Sequence, residues 1–254
     1  MSTPTSAGVL QTYQLIENYS NLIRDEIYGQ VLVHEPVAVE LLQTPELQRL
    51  KGICQHRATR FLGLTLQVTR LKHSVGVFIL VQRVSATIKE QVTALLHDVS
   101  HNTLSHVIDH ALSNPEEGIF KEELFTLVEM PSPQVCADHL DYALFDAVSF
   151  GKLSMEDARR AIGSLKVFPS TTATCCLLIT TEKDVWSNLA YVDMYQRTGQ
   201  MIHESVEAGP VDNKELWQLS DAEFWTLLWQ TTSSEQLCAI KRLEEEGIPE
   251  NNGL

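Results

Sequence analysis

An adjacent histidine and aspartate, His97 and Asp98, follow two leucines in a segment that has the pattern of a buried helix. Two more histidines come four and nine residues after His97, at His101 and His106. An imidazole beside a carboxylate suits a borderline divalent metal such as Zn, Mn, Fe, Ni or Co. A short pattern of this kind also arises by chance, and a histidine in a buried helix can simply bond a backbone carbonyl. A metal site here therefore requires a fold that brings further ligands to His97.

Helical patterns dominate the rest of the chain, so we predict an all-α fold. The predicted helices cover residues 36–42, 44–54, 69–84, 90–98, 102–111, 134–149, 155–165, 184–206, 221–230 and 234–246. Residues 23–33 instead alternate apolar and polar side chains around a glycine, which predicts a short N-terminal hairpin or extended arm. Residues 167–179 are rich in threonine and β-branched side chains and predict a strand or a buried edge.

A length of 254 residues and a hydrophobic content of 44% predict a single domain. We expect a flexible tail over residues 1–19 and one helical domain over residues 20–250, with the metal site within 70–142 and the C-terminal helices within 184–246. The chain has no apolar run long enough to span a membrane and no basic signal segment at its start. Its five cysteines lack a CxxC spacing, so we expect reduced thiols and a cytoplasmic location.

The charge of the chain is strongly acidic but unevenly distributed. A formal net charge of −14 argues against a nucleic-acid partner. Between Leu47 and Lys89, however, no acidic residue interrupts a block of eight of the nineteen basic residues: Arg49, Lys51, Arg57, Arg60, Arg70, Lys72, Arg83 and Lys89. Chance and the packing of long side chains could produce such a block. We favour a local positive field that binds a small anion, because the block adjoins a candidate metal ligand.

Four side chains form a candidate ligand set for one ion. His73 lies among basic residues, which favour its neutral, metal-binding form. His97 and Asp98 supply the adjacent pair, and Asp138 lies on a further predicted helix. Two histidines and two carboxylates leave coordination positions open for water and substrate, as catalytic metals need.

Five segments carry a resemblance to a known family. They are Arg24–Gly29 (similar to DPxHG), Thr44–Gln55 (TPxfQRLrxIxQ), Thr69–Val77 (sRfeHSlGV), His97–His106 (HDlgHgPfSH) and Ala137–Asp146 (aDrlDYllrD). In these segments, and in their order over residues 20–245, the sequence resembles the HD-domain phosphohydrolases, especially the deoxynucleoside triphosphate triphosphohydrolase branch.

The resemblance implies roles for individual residues. The metal ligands would be His73, His97, Asp98 and Asp138, holding one divalent transition metal (Mn, Fe, Ni, Co or Zn) or Mg. The residues that handle protons or contact phosphate during catalysis would be His101, His106 and Asp109. The substrate-binding residues would be Gln55, Arg70, Lys72, His139, Tyr142 and Asp146, with Gln55 near the sugar and Arg70 on a phosphate.

The chain also departs from the family pattern. The segment between Asp98 and Asp138 is much shorter than in the large triphosphohydrolases, and residues 114–133 lack the histidine that the family places there. His139 stands at a usually basic position, Ser100 at a glycine and Thr103 at a proline. These departures leave the general acid open, and also whether the substrate is a monophosphate or a triphosphate.

The expected activity is hydrolysis of a nucleotide or other small phosphate ester through a metal-activated water. We expect a small phosphorylated substrate as the partner and neither stable nucleic-acid binding nor a membrane, and we leave a homo-oligomer open. Two alternatives also stay open. One is a degenerate HD module that binds a nucleotide or a protein partner without turnover. The other is an HD-type di-iron oxygenase, which His101 and His106 fit less well by their spacing.

Overall fold

Helices form most of the protein that the computed structural model describes, namely residues 14–15, 21–55, 68–103, 125–130, 135–149, 151–165, 196–204, 216 and 218–246. The strands are β1 (Gln14–Leu15), β2 (Leu22–Asp25) and β3 (Gly29–Leu32). The helices are α1 (Pro36–Leu41), α2 (Pro45–Arg49), α3 (Arg70–Arg83), α4 (Ile88–Leu96), α5 (Ala137–Ser149), α6 (Met155–Gly163), α7 (Asp221–Thr231) and α8 (Ser234–Glu246), and residues 196–204 are also helical. The predicted fold class, mainly helical with a small N-terminal hairpin, is confirmed.

The N-terminal hairpin is formed by β2 and β3, which pair antiparallel from Leu22–Leu32 to Asp25–Gly29. Its turn is closed by the Asp25 carboxylate, which accepts hydrogen bonds from the backbone N–H groups of Ile27 and Tyr28. Gly29 follows with φ at 76°, a conformation that favours glycine. This turn fixes the direction in which the Tyr28 side chain leaves the hairpin.

The sheet has a third strand that the sequence did not predict. Gln14–Leu15 lies within the predicted tail of residues 1–19, yet it pairs antiparallel with β2 through Arg24 and Ile23. The free edge of a β-strand carries unpaired backbone groups, and a neighbouring extended segment satisfies them.

Helix α3 is the central element of the described structure. Every residue from Arg70 to Val81 is buried, and α4 and α5 both pack against this helix. The sequence predicted a helix over residues 69–84, close to the observed bounds, and in the structure its residues are buried on every face. Burial therefore extends to three cationic or titratable side chains, Arg70, Lys72 and His73, and each of them needs a partner inside the protein.

The predicted helix over residues 90–98 is shifted relative to α4. The helix begins at Ile88, where Thr87 and Glu90 form a reciprocal capping box. It ends at Leu96, and residues 97–100 form a turn. His97 and Asp98 therefore lie immediately after the helix, where the change in chain direction lets both side chains face α3.

Helix α5 begins at Ala137, three residues later than predicted. The N–H groups of Ala137 and Asp138 donate to the carbonyl oxygens of Leu127 and Val128, so another backbone segment satisfies the first donors of the helix. This arrangement places Asp138 in the first turn of α5 and fixes its position relative to α3.

Helix α7 connects the C-terminal part of the chain to the segment before α3 and to the segment after α4. Its fully buried Asp221 accepts a hydrogen bond of 2.6 Å from the backbone N–H of Cys54 and one of 3.0 Å from the Thr103 hydroxyl. Helices α6, α7 and α8 lie close to their predicted bounds. Most of the predicted elements over 102–111 and 184–206, and all of 167–179, lie outside the described residues. In the described part of the chain, no helix is both long and apolar enough to cross a membrane.

Candidate metal centre

Four side chains from α3, the turn after α4, and α5 converge on one point. His73 Nε2 lies 2.8 Å from Asp138 Oδ1 and 3.3 Å from His97 Nε2. The Asp98 carboxylate completes the group, with Oδ1 3.7 Å from His97 Nε2 and Oδ2 4.0 Å from His73 Nε2. The structure thus brings together the four residues that the sequence predicted as metal ligands.

The ring of His97 is oriented by a backbone contact. Its Nδ1 lies 2.8 Å from the carbonyl oxygen of Ala94, one turn earlier in α4. A carbonyl oxygen only accepts hydrogen bonds, so Nδ1 carries the proton and donates it. The lone pair of a neutral His97 is then on Nε2, the atom that faces the other three side chains.

Helix α5 provides carboxylates on both sides of the His73 ring. Asp141 Oδ2 lies 2.7 Å from Nδ1, and Asp138 Oδ1 lies near Nε2. Burial lowers the pKa of His73, but the hydrogen bonds to Asp138 and Asp141 outweigh it and raise the pKa to about 10. At neutral pH the metal-free ring is therefore an imidazolium that donates to both carboxylates.

Both oxygens of Asp98 have cationic or imidazole partners. Arg70 Nη1 donates to Oδ2 at 2.7 Å, and His101 Nε2 lies 3.1 Å from Oδ1. Burial raises the pKa of Asp98, but Arg70 and the neighbouring histidines outweigh it and hold the pKa well below its usual range. Burial also raises the pKa of Asp138, but the hydrogen bond and charge of His73 outweigh burial and lower this pKa. Both candidate ligand carboxylates are thus ionised at neutral pH.

The chemistry of this group fits a divalent metal ion. Ligands about 2.0–2.2 Å from a common ion lie roughly 3–3.5 Å from each other, a spacing that the distances of 2.8–4.0 Å between these atoms bracket. Two imidazoles and two ionised carboxylates also provide the mixed N and O ligands of a catalytic transition-metal site. His73, His97, Asp98 and Asp138 would hold such an ion.

A second group of side chains with metal-binding chemistry shares Asp138. It consists of Cys136, which immediately precedes α5, and of Asp138 and His139 in the first turn of α5. Burial raises the pKa of the Cys136 thiol to about 11, so the thiol is protonated at neutral pH. Since a metal binds the thiolate, this group is the weaker of the two candidates.

The protonated state of His73 leads to a prediction about pH. A metal ion at Nε2 must displace a proton whose pKa is about 10, so we expect the apparent association constant to rise by about tenfold per pH unit between pH 7 and pH 9. Competition with a chelator at each pH measures this slope. The raised pKa also stabilises the metal-free fold below pH 6.5, the ordinary pKa of histidine, and this contribution is lost as pH rises through about 10. An affinity that stays constant from pH 7 to pH 9 would contradict the assignment of His73.

Two partners of the ligand set were not predicted from the sequence. Asp141 contacts Nδ1 of His73, on the side of the ring away from the candidate site. Tyr28 of the hairpin donates its hydroxyl to Asp141 Oδ1 at 2.5 Å. Burial and the charge of Asp141 raise the pKa of Tyr28 well above 10, so the phenol keeps its proton and acts as the donor. The three-residue spacing of Asp138 and Asp141, which puts both on one helix face, was the available sequence signal for Asp141.

Arg49 supports the turn that carries the ligands after α4. Its Nη2 donates to the carbonyl oxygen of Val99 at 3.0 Å and to that of His101 at 2.7 Å. The sequence placed Arg49 within a motif without assigning it a role. In the structure it fixes the backbone on which His101 approaches Asp98.

The remaining predicted site residues lie at different distances from the four ligands. His139 Nε2 is 4.0 Å from Asp138 Oδ2, and the Tyr142 ring packs edge-on against His139 at 5.6 Å. Asp146 is fully buried further along α5, and the backbone N–H of Gln55 donates to Val68 just before α3. The substrate-binding roles given to these four residues stay predictions. His106 and Asp109 lie outside the described residues.

Two described cations of the acid-free block, Lys72 and Arg70, have carboxylate partners from distant segments. Lys72 is buried, with Nζ 3.5 Å from Glu26 Oε2 and 4.7 Å from the centre of the Phe145 ring. Arg70 pairs with Asp98, a carboxylate 28 residues away that lies outside the acid-free block. The fold supplies carboxylates that are absent from the local sequence. Of Arg70 and Lys72, Arg70 is the one that contacts the four-residue cluster.

Comparisons with known proteins identify the family. The chain is 59% identical to the metal-dependent phosphohydrolase cns2 of Cordyceps militaris over an alignment of 297 positions, which covers 100% of this chain and 86% of that protein. The chain belongs to the metal-dependent phosphohydrolases. This membership confirms the resemblance stated from the motifs. No protein-family model matches the chain.

More distant relatives of this phosphohydrolase match over shorter regions. The uncharacterized protein YdhJ of Bacillus subtilis is 36% identical, covering 57% of this chain and 53% of YdhJ. The deoxynucleoside triphosphate triphosphohydrolase SAMHD1 of Gallus gallus is 28% identical over 103 residues, which cover 35% of this chain and 17% of SAMHD1. Among solved structures, a phosphohydrolase from Bacteroides thetaiotaomicron has a TM-score of 0.62 at 19% identity, covering 89% of this chain and 77% of that one. This last similarity shows a shared fold.

Proposed function

We propose that this phosphohydrolase cleaves the phosphate ester of a nucleotide or another small phosphorylated molecule, using one divalent ion held by His73, His97, Asp98 and Asp138. The observation that carries this proposal is the convergence of these four side chains beside the guanidinium of Arg70. A divalent ion at such a site lowers the pKa of a water molecule and polarises a phosphoryl oxygen.

The partly exposed side of the cluster is where a substrate would enter. The side chains of Asp138 and His101 are 21% and 20% exposed, whereas those of His73, His97 and Asp98 are 7% exposed or less. We therefore place the approach of the phosphate on the side of Asp138 and His101.

Arg70 and His101 would act on the substrate directly. The Arg70 guanidinium is held by Asp98 through Nη1, so its positive charge is already fixed before a phosphate arrives, and it stabilises charge on the phosphoryl oxygens. The His101 side chain lies on the partly exposed side of the cluster, and its contact with Asp98 orients the ring. We assign it the role of general acid, which donates a proton to the leaving oxygen, since an imidazole titrates near neutral pH.

Phosphate release from metal-free protein that is reloaded with Mn, Ni, Co, Fe or Mg tests this function. The substrates are nucleoside mono-, di- and triphosphates, with simple aryl and sugar phosphates for comparison. We expect release that needs an added divalent ion and prefers nucleotides. If the protein hydrolyses only the non-nucleotide esters, its function as a hydrolase would stand and the proposal of a nucleotide substrate would be wrong.

The Arg70→Lys variant tests how the substrate is bound. Lysine keeps a positive charge beside Asp98 but lacks the planar guanidinium that binds phosphate with two hydrogen bonds. We expect kcat/KM to fall about 10–100-fold, the loss of roughly one charge-assisted hydrogen bond, with metal content and melting temperature near those of wild type. Arg160→Lys, at an exposed pair with Asp157, is the matched control and should change none of these. Early melting of Arg70→Lys together with normal turnover would make Arg70 a structural residue.

The two alternative functions predict different results in the same experiment. A degenerate module would bind the metal and a nucleotide but release no phosphate with any ion. A di-iron oxygenase would contain two irons per chain, and elemental analysis measures this directly. The ligand set favours the hydrolase, because two histidines and two carboxylates converge on a single point in the described part of the chain.

A further inference from the structure

The candidate metal ligand His73 is held from behind by side chains that belong to no part of the proposed catalytic machinery. Asp141 Oδ2 bonds its Nδ1 at 2.7 Å, and Asp141 Oδ1 accepts the Tyr28 hydroxyl at 2.5 Å. Asp141 is fully buried and Tyr28 is 5% exposed. The three side chains form a continuous buried chain of hydrogen bonds from the N-terminal hairpin to Nδ1 of His73 on α3, the ring nitrogen opposite the one that faces the candidate metal site.

Three features of the fold position the side chains of this hydrogen-bonded series. The Asp25 turn and the positive φ of Gly29 set the direction of Tyr28, whose ring packs edge-on against Phe145 at 6.3 Å. On α3, the absence of a side chain at Gly76 gives Asp141 the space it occupies, because a Cβ there would overlap its Oδ1. The hairpin and two helices thus all constrain the same carboxylate.

A carboxylate behind a histidine ligand has a defined physical effect. It accepts the Nδ1 proton, fixes the tautomer with the lone pair on Nε2, and makes the ring a stronger ligand. A hydroxyl donated to the other oxygen of that carboxylate stops it from rotating away from the ring. Such outer partners typically change metal affinity by about 10–100-fold when they are mutated.

We propose that Asp141 and Tyr28 are positioning residues for the metal ligand His73, with Tyr28 acting through Asp141. The inference rests on the metal site of the proposed function. It assigns to the N-terminal hairpin a role in metal affinity, although no hairpin residue is among the proposed ligands.

Metal affinity measured without substrate tests this inference. The dissociation constant of Co²⁺ is determined by chelator competition for wild type, Asp141→Asn, Tyr28→Phe and the double variant. We expect Asp141→Asn to weaken binding about 10–100-fold. Tyr28→Phe keeps the ring packing and loses one hydrogen bond, so we expect the affinity for Co²⁺ to fall about 3–10-fold. The double variant should match Asp141→Asn within about twofold, because Tyr28 acts through Asp141.

Two matched controls separate positioning from stability. Asp221→Asn removes the charge of an equally buried carboxylate that bonds Cys54 and Thr103 instead of a candidate ligand. Ser74→Ala removes a buried hydroxyl of α3 that has no hydrogen-bond partner among the described residues. Both variants should keep the wild-type Co²⁺ affinity, even where Asp221→Asn lowers the melting temperature.

The outcomes distinguish this inference from the proposed function. If His73→Ala loses the ion while Asp141→Asn and Tyr28→Phe bind Co²⁺ as wild type does, the positioning role is wrong and the metal site stands. Fully additive effects of the two substitutions would also overturn it, since Tyr28 would then act independently of Asp141. If His73→Ala itself keeps the ion, the proposed ligand set fails. The Co²⁺ absorption spectrum, which reports the ligand geometry, should change in Asp141→Asn and not in Asp221→Asn.

Discussion

Replacing Asp98 with alanine is expected to abolish metal binding and to destabilise the metal-free protein by about 3–5 kcal/mol. The metal is lost because one charged ligand is removed and because the Arg70 guanidinium, left without its carboxylate partner, places an unneutralised positive charge beside the dication. The fold is weakened because the Arg70 guanidinium, whose side chain is 3% exposed, loses the carboxylate that it contacts at 2.7 Å. Elemental analysis of the purified variant and denaturant unfolding of both metal-free proteins measure the two effects.

The control for this substitution is Asp157→Ala. Asp157 lies on the surface of α6, where it pairs with Arg160. Exposed ion pairs contribute little to stability, so this variant should keep wild-type metal content and a wild-type unfolding midpoint. Full metal content in Asp98→Ala would remove Asp98 from the ligand set. Metal loss with unchanged stability would show that Arg70 readily finds another partner.

Replacing Gly76 with alanine is expected to destabilise the protein by about 1–3 kcal/mol, although alanine is the better helix former by about 1 kcal/mol. The new Cβ would overlap Asp141 Oδ1 and lie 2.7 Å from its Cγ and 3.0 Å from a ring carbon of Tyr28. Asp141 has no room to retreat, since it is fully buried and bonded on both oxygens. The displaced carboxylate would release His73, so Co²⁺ affinity should fall as well.

Gly163→Ala is the matched control for Gly76→Ala. Gly163 is the last residue of α6, and a Cβ added there meets nothing within 4 Å among the described residues. We expect unchanged or slightly increased stability and unchanged Co²⁺ affinity. A stable Gly76→Ala variant with normal affinity would mean that Asp141 moves without consequence for His73.

The sequence predicted the candidate ligands because each lies in a short segment with its own recognisable chemistry. His97 and Asp98 form an adjacent pair, and His73 and Asp138 lie in segments that match the family in type and order. The same segments predicted helices close to α3 and α5. Local patterns were sufficient for these features because each depends on residues that are near in sequence.

The features that the sequence did not predict all depend on distant contacts. Tyr28 and Asp141 are separated by 113 residues, and Arg70 and Asp98 by 28. The acid-free block offered Arg70 no carboxylate nearby in sequence and favoured a bound anion, whereas the fold supplies the carboxylate of Asp98. The burial of α3 on all sides also depends on distant contacts. Helices α4 and α5 and the hairpin cover its polar residues, which would be exposed in an isolated helix.

Anomalous diffraction from crystals of the metal-loaded protein, measured at the absorption edge of the bound ion, tests the central claim most directly. We predict one strong anomalous peak per chain, bounded by His73 Nε2, His97 Nε2 and the carboxylates of Asp98 and Asp138. A peak on the Cys136 and His139 side of Asp138, away from His97, would contradict the account. So would the absence of a peak in protein that elemental analysis shows to carry one metal ion per chain.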